Sequence, residues 1–356
     1  MLAAGFQLNE LYLLKGKQME LDIILEADLT APQVKELGLL AEQYGFRTIW
    51  TQNYVRGRDA FMVAMPLAQA AKKIRVGVCI VSPYELHPLK MANAILTLNE
   101  CAGGRTCLAI GGGGEWLNIL GFSEGRRLTA VREAIEIVKG AFREETLDYD
   151  GKMYKAKWFN APWAKDSPPL IYAGANGPQM SQIAAAAADG VMQSDVAPEM
   201  IEWPMPFLKE TLQEQGRTED NFRISNFLAW HVKEDREASL REARRELVIR
   251  AWLERPWLEP FLEPDDVELV LNNKWPFLDA YRKRSGDIEG VPQHIVDALV
   301  EGLSCAGGPG DLDRHIEKLR KYADAGYTEI ALRVHDDPAD SIRMIGERVL
   351  PDVIRL

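Results

Sequence analysis

A closed (β/α)8 barrel is the fold that this sequence predicts, and three observations predict it. Short apolar runs alternate with helix-period segments along most of the chain, eight such runs can be counted, and glycine and proline stand where the intervening helices should start and stop. Alternating βα units imply a parallel sheet covered by helices, and eight of them in one chain favour closure over an open doubly wound sheet. The 356 residues would suffice for two domains of about 150 residues, yet α/β barrels use this length for one. The expected organisation is an N-terminal extension over residues 1–19 and a single barrel domain over 20–356.

The elements follow in order. Glu20 to Glu26 is a short apolar run without helical spacing and reads as the first strand. Pro32 opens a helix to about Tyr44, Gly45 stops it, and Phe46 to Trp50 is the next strand. A helix from about Asp59 to Ala71 leads to the strand Ile74 to Ile80, and one from about Leu89 to Cys101 leads to Arg105 to Ile110. A longer helix, about Arg126 to Arg143, precedes a polar, aromatic excursion over 148–167 that interrupts the rhythm. Strand Pro169 to Ala173, a helix through Ala188, strand Val191 to Ser194, another helix and strand Phe222 to Val232 resume it. Helix Asp311 to Ala325, strand Tyr327 to Val334 and a last helix close the chain. Between strand seven and that last βα unit lies a helical insert, about residues 234–307, with about two helices' worth of excess and Trp252, Trp257 and Trp275. Such inserts either cover one face of a barrel or pack as a satellite cluster on its outer helices.

Composition excludes several function classes. With 42 Lys and Arg against 53 Asp and Glu the net charge is −11, which argues against nucleic acid as a partner. No apolar run reaches the ~18 residues of a membrane span, and the first residues lack a basic n-region and a cleavage site, so a cytoplasmic protein is expected. Cys79, Cys101, Cys107 and Cys305 show neither disulfide-framework nor metal spacing, and no metal is expected. A G-x-S-x-G elbow and an H-E-x-x-H pair are both missing.

Barrel chemistry sits at the C-terminal ends of strands. Those ends carry Glu26, then Asn53, the stretch Val81 to His87, Gly111 to Trp116, Gly174 to Gln179, Asp195, and finally Trp230 and His231. Gly174-Ala175-Asn176-Gly177-Pro178 joins a strand to a helix start with little side-chain bulk, which makes either an anion site or simply a tight βα turn. Gly111 to Gly114 lacks both the P-loop ending and the Rossmann spacing, but lets a flat ligand approach the backbone. Glu26 and Glu115 are a candidate carboxylate pair.

The runs Val76-Gly-Val-Cys-Ile-Val-Ser-Pro-Tyr-Glu-Leu-His-Pro88 and Asn99-Glu-Cys-Ala-Gly-Gly-Arg-Thr-Cys-Leu-Ala-Ile-Gly-Gly-Gly-Gly114 resemble the bacterial luciferase-like family. Within it they are similar to the deazaflavin-dependent branch typified by methylenetetrahydromethanopterin reductase. The likeness includes Ala173 to Pro178, Ala188-Asp-Gly190 and Gly326 to Ile330, and covers residues 20–232 and 308–350. It implies a TIM barrel of the luciferase-like type holding coenzyme F420, or alternatively FMN, at the C-terminal face. It also implies hydride transfer at the deazaflavin C5, or oxygen or hydride chemistry with FMN. Carried over, Ala175, Asn176 and Gly177, between Gly174 and Pro178, would hold the cofactor phosphate, and Gly112, Gly113 and Gly114 would lie along its ribityl or phosphate chain. The family's non-prolyl cis peptide would fall at Cys79–Ile80, ahead of Val81 and behind the ring.

Two departures stand out. Where the branch has Asp-His after strand two, this chain has Gln52-Asn53, and an amide cannot act as an acid; where Asp follows the glycines, it has Glu115-Trp116. The expected proton donors are Glu115, Glu26 and His231, in that order, and Trp50, Trp116 and Trp230 either wall the substrate pocket or pack the barrel. The resulting expectation is an F420-dependent oxidoreductase acting on a small molecule. An FMN monooxygenase served by a partner reductase is the enzyme alternative, and a non-catalytic cofactor-binding barrel the other. Relatives imply a homodimer.

Overall fold

Eight parallel strands close on themselves: β1 (Glu20–Leu25), β2 (Thr48–Gln52), β3 (Arg75–Val81), β4 (Thr106–Ile110), β5 (Leu170–Gly174), β6 (Gly190–Ser194), β7 (Arg223–Trp230) and β8 (Glu329–Val334). Each pairs with its successor, and β8 closes the ring by pairing with β1 in the register Glu20↔Glu329 to Ile24↔Arg333. The computed structural model describes residues 19–114, 117, 120–122, 125–143, 145–218 and 221–353. Two of the site residues expected from sequence, Glu115 and Trp116, lie outside the described residues, as does the extension up to residue 18.

Local chemistry sets the helix ends where the sequence placed them. Gln33 Oε1 accepts the Thr30 N–H at 2.9 Å at the start of helix Ala31–Tyr44, and Gly45 ends it at φ 91°, a conformation glycine adopts without steric cost. Asp59 caps Ala60–Ala70 by accepting the Met62 N–H at 2.9 Å, and proline opens Pro88–Cys101 and Pro178–Ala187. The large core lies between strands and helices. A smaller one fills the barrel itself, with Ile24, Trp50, Cys79, Cys107, Ala109, Tyr172, Met192 and Ala331.

Two segments differ from expectation. The excursion contains an antiparallel hairpin, Leu147–Asp150 with Lys155–Phe159, whose turn is held by the Glu133 carboxylate accepting the N–H groups of Lys152, Met153 and Tyr154 at 2.7, 2.9 and 2.9 Å. The insert exceeds two helices: Arg236–Arg245, Pro264–Asn272, Trp275–Lys283 and Gln293–Leu303 all belong to it. Pro256, Pro264 and Pro276 sit in the first turns of its helices, where a missing N–H costs nothing. It is tied to the end of β6 by buried Asp195, which receives Arg250 Nη1 at 3.2 Å on its carboxylate and Trp257 Nε1 at 2.8 Å on its carbonyl. Among the described residues no helix is long and apolar enough to cross a membrane.

Candidate active site

The Cys79–Ile80 peptide is cis, as the resemblance implied. The Ile80 side chain fills the space beside two glycines: a Cβ on Gly111 would lie 2.5 Å from Ile80 Cγ2, and one on Gly174 3.0 Å from its Cδ1. Gly113 has φ +87° and a Cβ there would meet Leu117 at 2.6 Å. Gly111→Ala is therefore expected to destabilise the protein by about 1–3 kcal/mol through overpacking, read as a lowered melting temperature, because both strands confine Ile80. Cys79 turns into the barrel's inner cluster and Val81 into the outer core, so Ile80 alone of these three is left half-exposed.

After β5 the chain enters helix Pro178–Ala187 through an extended Gly177, φ −91°. A Cβ on Gly177 would have nothing within 4 Å, so the helix N-terminus is open. Its neighbours are already engaged: the Ala175 N–H donates to the Met192 carbonyl at 3.1 Å, and Asn176 Oδ1 accepts the Ser194 N–H at 2.8 Å. Asn176 thus shapes the loop, and Gly177 with the first helical turn is the part left open to an anion.

Of the three proton donors expected from sequence, Glu115 lies outside the described residues, and the other two, Glu26 and His231, are corrected. Glu26 accepts Arg333 Nε and Nη2 at 2.7 and 3.0 Å and contacts His335 Nδ1 at 2.9 Å. Burial would raise its pKa, but Arg333 and His335 outweigh that and hold it well below the usual carboxylate range, so it is ionised at neutral pH and has no proton to give. His231 is buried, with Nδ1 2.8 Å from Glu242 Oε1 and its ring stacked on His335 at 4.5 Å. Burial, aided by His335, pushes its pKa down to about 4, which leaves it neutral.

Two tryptophans are also reassigned from pocket wall to packing. Trp50 is fully buried in the barrel, donating Nε1 to Asp22 Oδ2 at 2.8 Å and meeting Tyr172 edge-on at 5.5 Å. Trp230 turns into the outer core against His315, 5.9 Å between ring centroids. In a strand buried on both faces no alternation reveals which way a side chain points.

Asn53 is placed at the mouth as expected, and it brings in a residue the sequence reading did not single out. Its Nδ2 donates to the Ile80 carbonyl at 3.3 Å and to Glu85 Oε2 at 2.6 Å. Both side chains line a cleft of about 440 Å³ with Tyr54, Arg58, Tyr84 and Phe122. Glu85 reaches solvent at the rim, yet the cleft walls strip enough hydration to raise its pKa despite the hydrogen bond from Asn53. It sits in a Ser82 to Glu85 turn, where nothing in spacing marks it.

Ile80 thus packs against Gly111 and Gly174, its carbonyl is held by the amide that also binds Glu85, and the open helix start at Gly177 follows the strand that carries Gly174. Proteins similar to this chain include oxidoreductases. The 5,10-methylenetetrahydromethanopterin reductase of Archaeoglobus fulgidus is 29% identical over 323 residues, 88% of this chain and 93% of that protein. The F420-dependent glucose-6-phosphate dehydrogenase of Microbacterium testaceum is 24% identical over 339 residues, 90% and 92% of the two chains. The solved coenzyme F420-dependent tetrahydromethanopterin reductase of Methanopyrus kandleri superimposes with a TM-score of 0.81 at 23% identity, covering 94% of this chain and 99% of that one. The pattern of the luciferase-like monooxygenases matches residues 19–329, and on that match and this barrel the chain belongs to the luciferase-like family of oxidoreductases.

Proposed function

We propose that the protein is a coenzyme F420-dependent oxidoreductase acting on a small organic substrate, in the manner of the methylenetetrahydromethanopterin reductases. The observation that carries this reading is the open N-terminus at Gly177, set on the strand next to the Ile80–Gly111–Gly174 contact. The groove suits a phosphate-bearing tricyclic ring: Gly112 to Gly114 offer backbone without bulk, and Gly177 with the first helical turn offers N–H groups to the phosphate. Relatives that use F420 along nearly the whole chain support the choice of cofactor. When bound, the deazaflavin would supply a two-electron hydride. The protein's own contribution is to fix donor and acceptor geometry and keep water from the reacting face.

Titration of the protein with F420 and, separately, FMN, followed by fluorescence quenching, tests this. Micromolar or tighter F420 binding is expected, weakened about 100-fold or more in Gly177→Asp, where a carboxylate meets the phosphate. Asp at that position is a favourable helix cap, so lost binding would not be lost folding. Preferential FMN binding would instead indicate the monooxygenase chemistry of the family.

A further inference from the structure

We propose that Glu85, oriented by Asn53, is the proton donor of this enzyme, delivering a proton to a nitrogen or oxygen of the substrate as the adjacent carbon takes up hydride. The inference rests on the hydride-transfer reading above and deepens it. Reducing a carbon bound to such a heteroatom moves an electron pair onto the heteroatom. The substrate would be reduced by two electrons. A C–H bond forms with the hydride released by breaking the C–H bond of the reduced cofactor. The carbon–heteroatom bond breaks (the π bond of C=N or C=O, or one C–N bond of a methylene bridge), and the heteroatom that keeps its electron pair needs one proton. Among the described residues the acids expected from sequence do not supply it: Glu26 is an ion-paired carboxylate and His231 a buried neutral ring.

The geometry around Glu85 has the required polarity. The Ile80 carbonyl only accepts, so the Asn53 group 3.3 Å from it is the amide NH2, and the same group must donate to Glu85 Oε2 at 2.6 Å. Oε2 is thereby an acceptor for Asn53, and the Ser82 N–H also faces this carboxyl. The Glu85 and Leu86 N–H groups both donate to the Ser82 carbonyl at 3.1 Å, which fixes the turn presenting it. The cleft brings Tyr54, Arg58, Asp59 and Tyr84 to the same space. None of them is an ion partner within salt-bridge distance of Glu85, so partial burial decides its protonation, in contrast to Glu26. The amide that anchors Glu85 grips the carbonyl of the residue packed against Gly111 and Gly174, which ties the acid to the cofactor groove.

Glu85→Gln keeps the size and the acceptor for Asn53 and removes only the proton. In the protein without cofactor, 13C NMR of carboxyl-labelled glutamate should show one resonance, missing from the variant, that titrates above the usual glutamate range. With reduced F420 and 5,10-methylenetetrahydromethanopterin as probe, turnover should fall about 100-fold or more and lose its alkaline limb, while the F420 dissociation constant stays within twofold. An ordinary midpoint, or a variant with wild-type turnover and pH profile that still binds F420, overturns the assignment and leaves the cofactor reading standing. Failure of wild-type and variant alike to bind F420 overturns that reading and the assignment with it.

Discussion

Replacing Arg47 by methionine is expected to cost about 3–5 kcal/mol of stability, the loss typical when one member of a buried ion network is removed. Arg47 sits at the start of β2 with Nε and Nη2 on the two Asp22 oxygens at 2.9 and 2.5 Å, Nη2 on Glu329 Oε1 at 3.0 Å and Nη1 on the Tyr172 hydroxyl at 3.1 Å. The carboxylates of Asp22 and Glu329 are fully buried, and Tyr172 and Arg223 complete the shell around Glu329 at 2.6 Å each. Burial pushes the Asp22 pKa up, whereas Arg47 and Arg223 overcome burial at Glu329 and keep its pKa below the usual value. Without Arg47 two adjacent buried carboxyls face each other, and one must take up a proton. Its folded pKa then exceeds the unfolded one. That carboxyl's contribution to the variant's stability is therefore fully present below the unfolded carboxyl pKa and is lost as pH rises through the raised folded pKa. Urea unfolding of wild type and variant at pH 4 and pH 8 reads both effects as the difference between the two proteins, which should be larger at pH 8, and Asp22→Asn in the same background should recover part of the loss. A cost under about 1 kcal/mol would mean that the barrel's lower end does not depend on this network.

That network also shows what the sequence could and could not reveal. Strands and helices were legible because short β-branched runs are bounded by glycines and prolines with fixed conformational roles, as at Gly45 and Pro178. The glycines that follow β4 and β5 stood out in the sequence, but that Ile80 packs against two of them did not. The partners of the titratable residues were not. Glu26 and Arg333 lie 307 residues apart and meet only because β8 closes against β1. The orientation of Trp50 and Trp230 was hidden by strands that are apolar on both faces. The insert was undercounted because its short helices, two of them carrying Pro264 and Pro276 in their first turns, were not separated from one another by spacing alone. Glu85 escaped because a turn residue acquires meaning only when Asn53, on the neighbouring strand, reaches it.

Acid should weaken the fold first at the barrel mouth, through His231. Its unfolded counterpart titrates near 6.5, whereas the folded ring holds out to about 4. The unfolded chain therefore binds a proton that the native one refuses, and stability falls as pH drops from about 6.5 to about 4, by about 3 kcal/mol in all. The paired carboxylates Glu26 and Glu242, both held below their usual values, act in a lower window. Their contribution is present above the unfolded carboxylate pKa and is lost only as pH falls through the folded one. The two windows are separable. Denaturant unfolding at pH 7.5, 6 and 5 should show a steep decline in the wild type and a much shallower one in His231→Gln, whose amide still donates to Glu242. Equal slopes would assign the decline elsewhere. The groups facing the ring explain why the loss is local: His335 stacks on it, Arg250 lies beside it, and Glu242 also takes Lys233 Nζ at 3.0 Å and the Asp336 N–H at 3.2 Å. Together they join the ends of β1, β7 and β8 to the insert's first helix. Hydrogen exchange in Arg236–Arg245 should accordingly quicken at pH 5 before that of the strand amides, because a protonated His231 expels itself from the contact that holds this helix over the barrel.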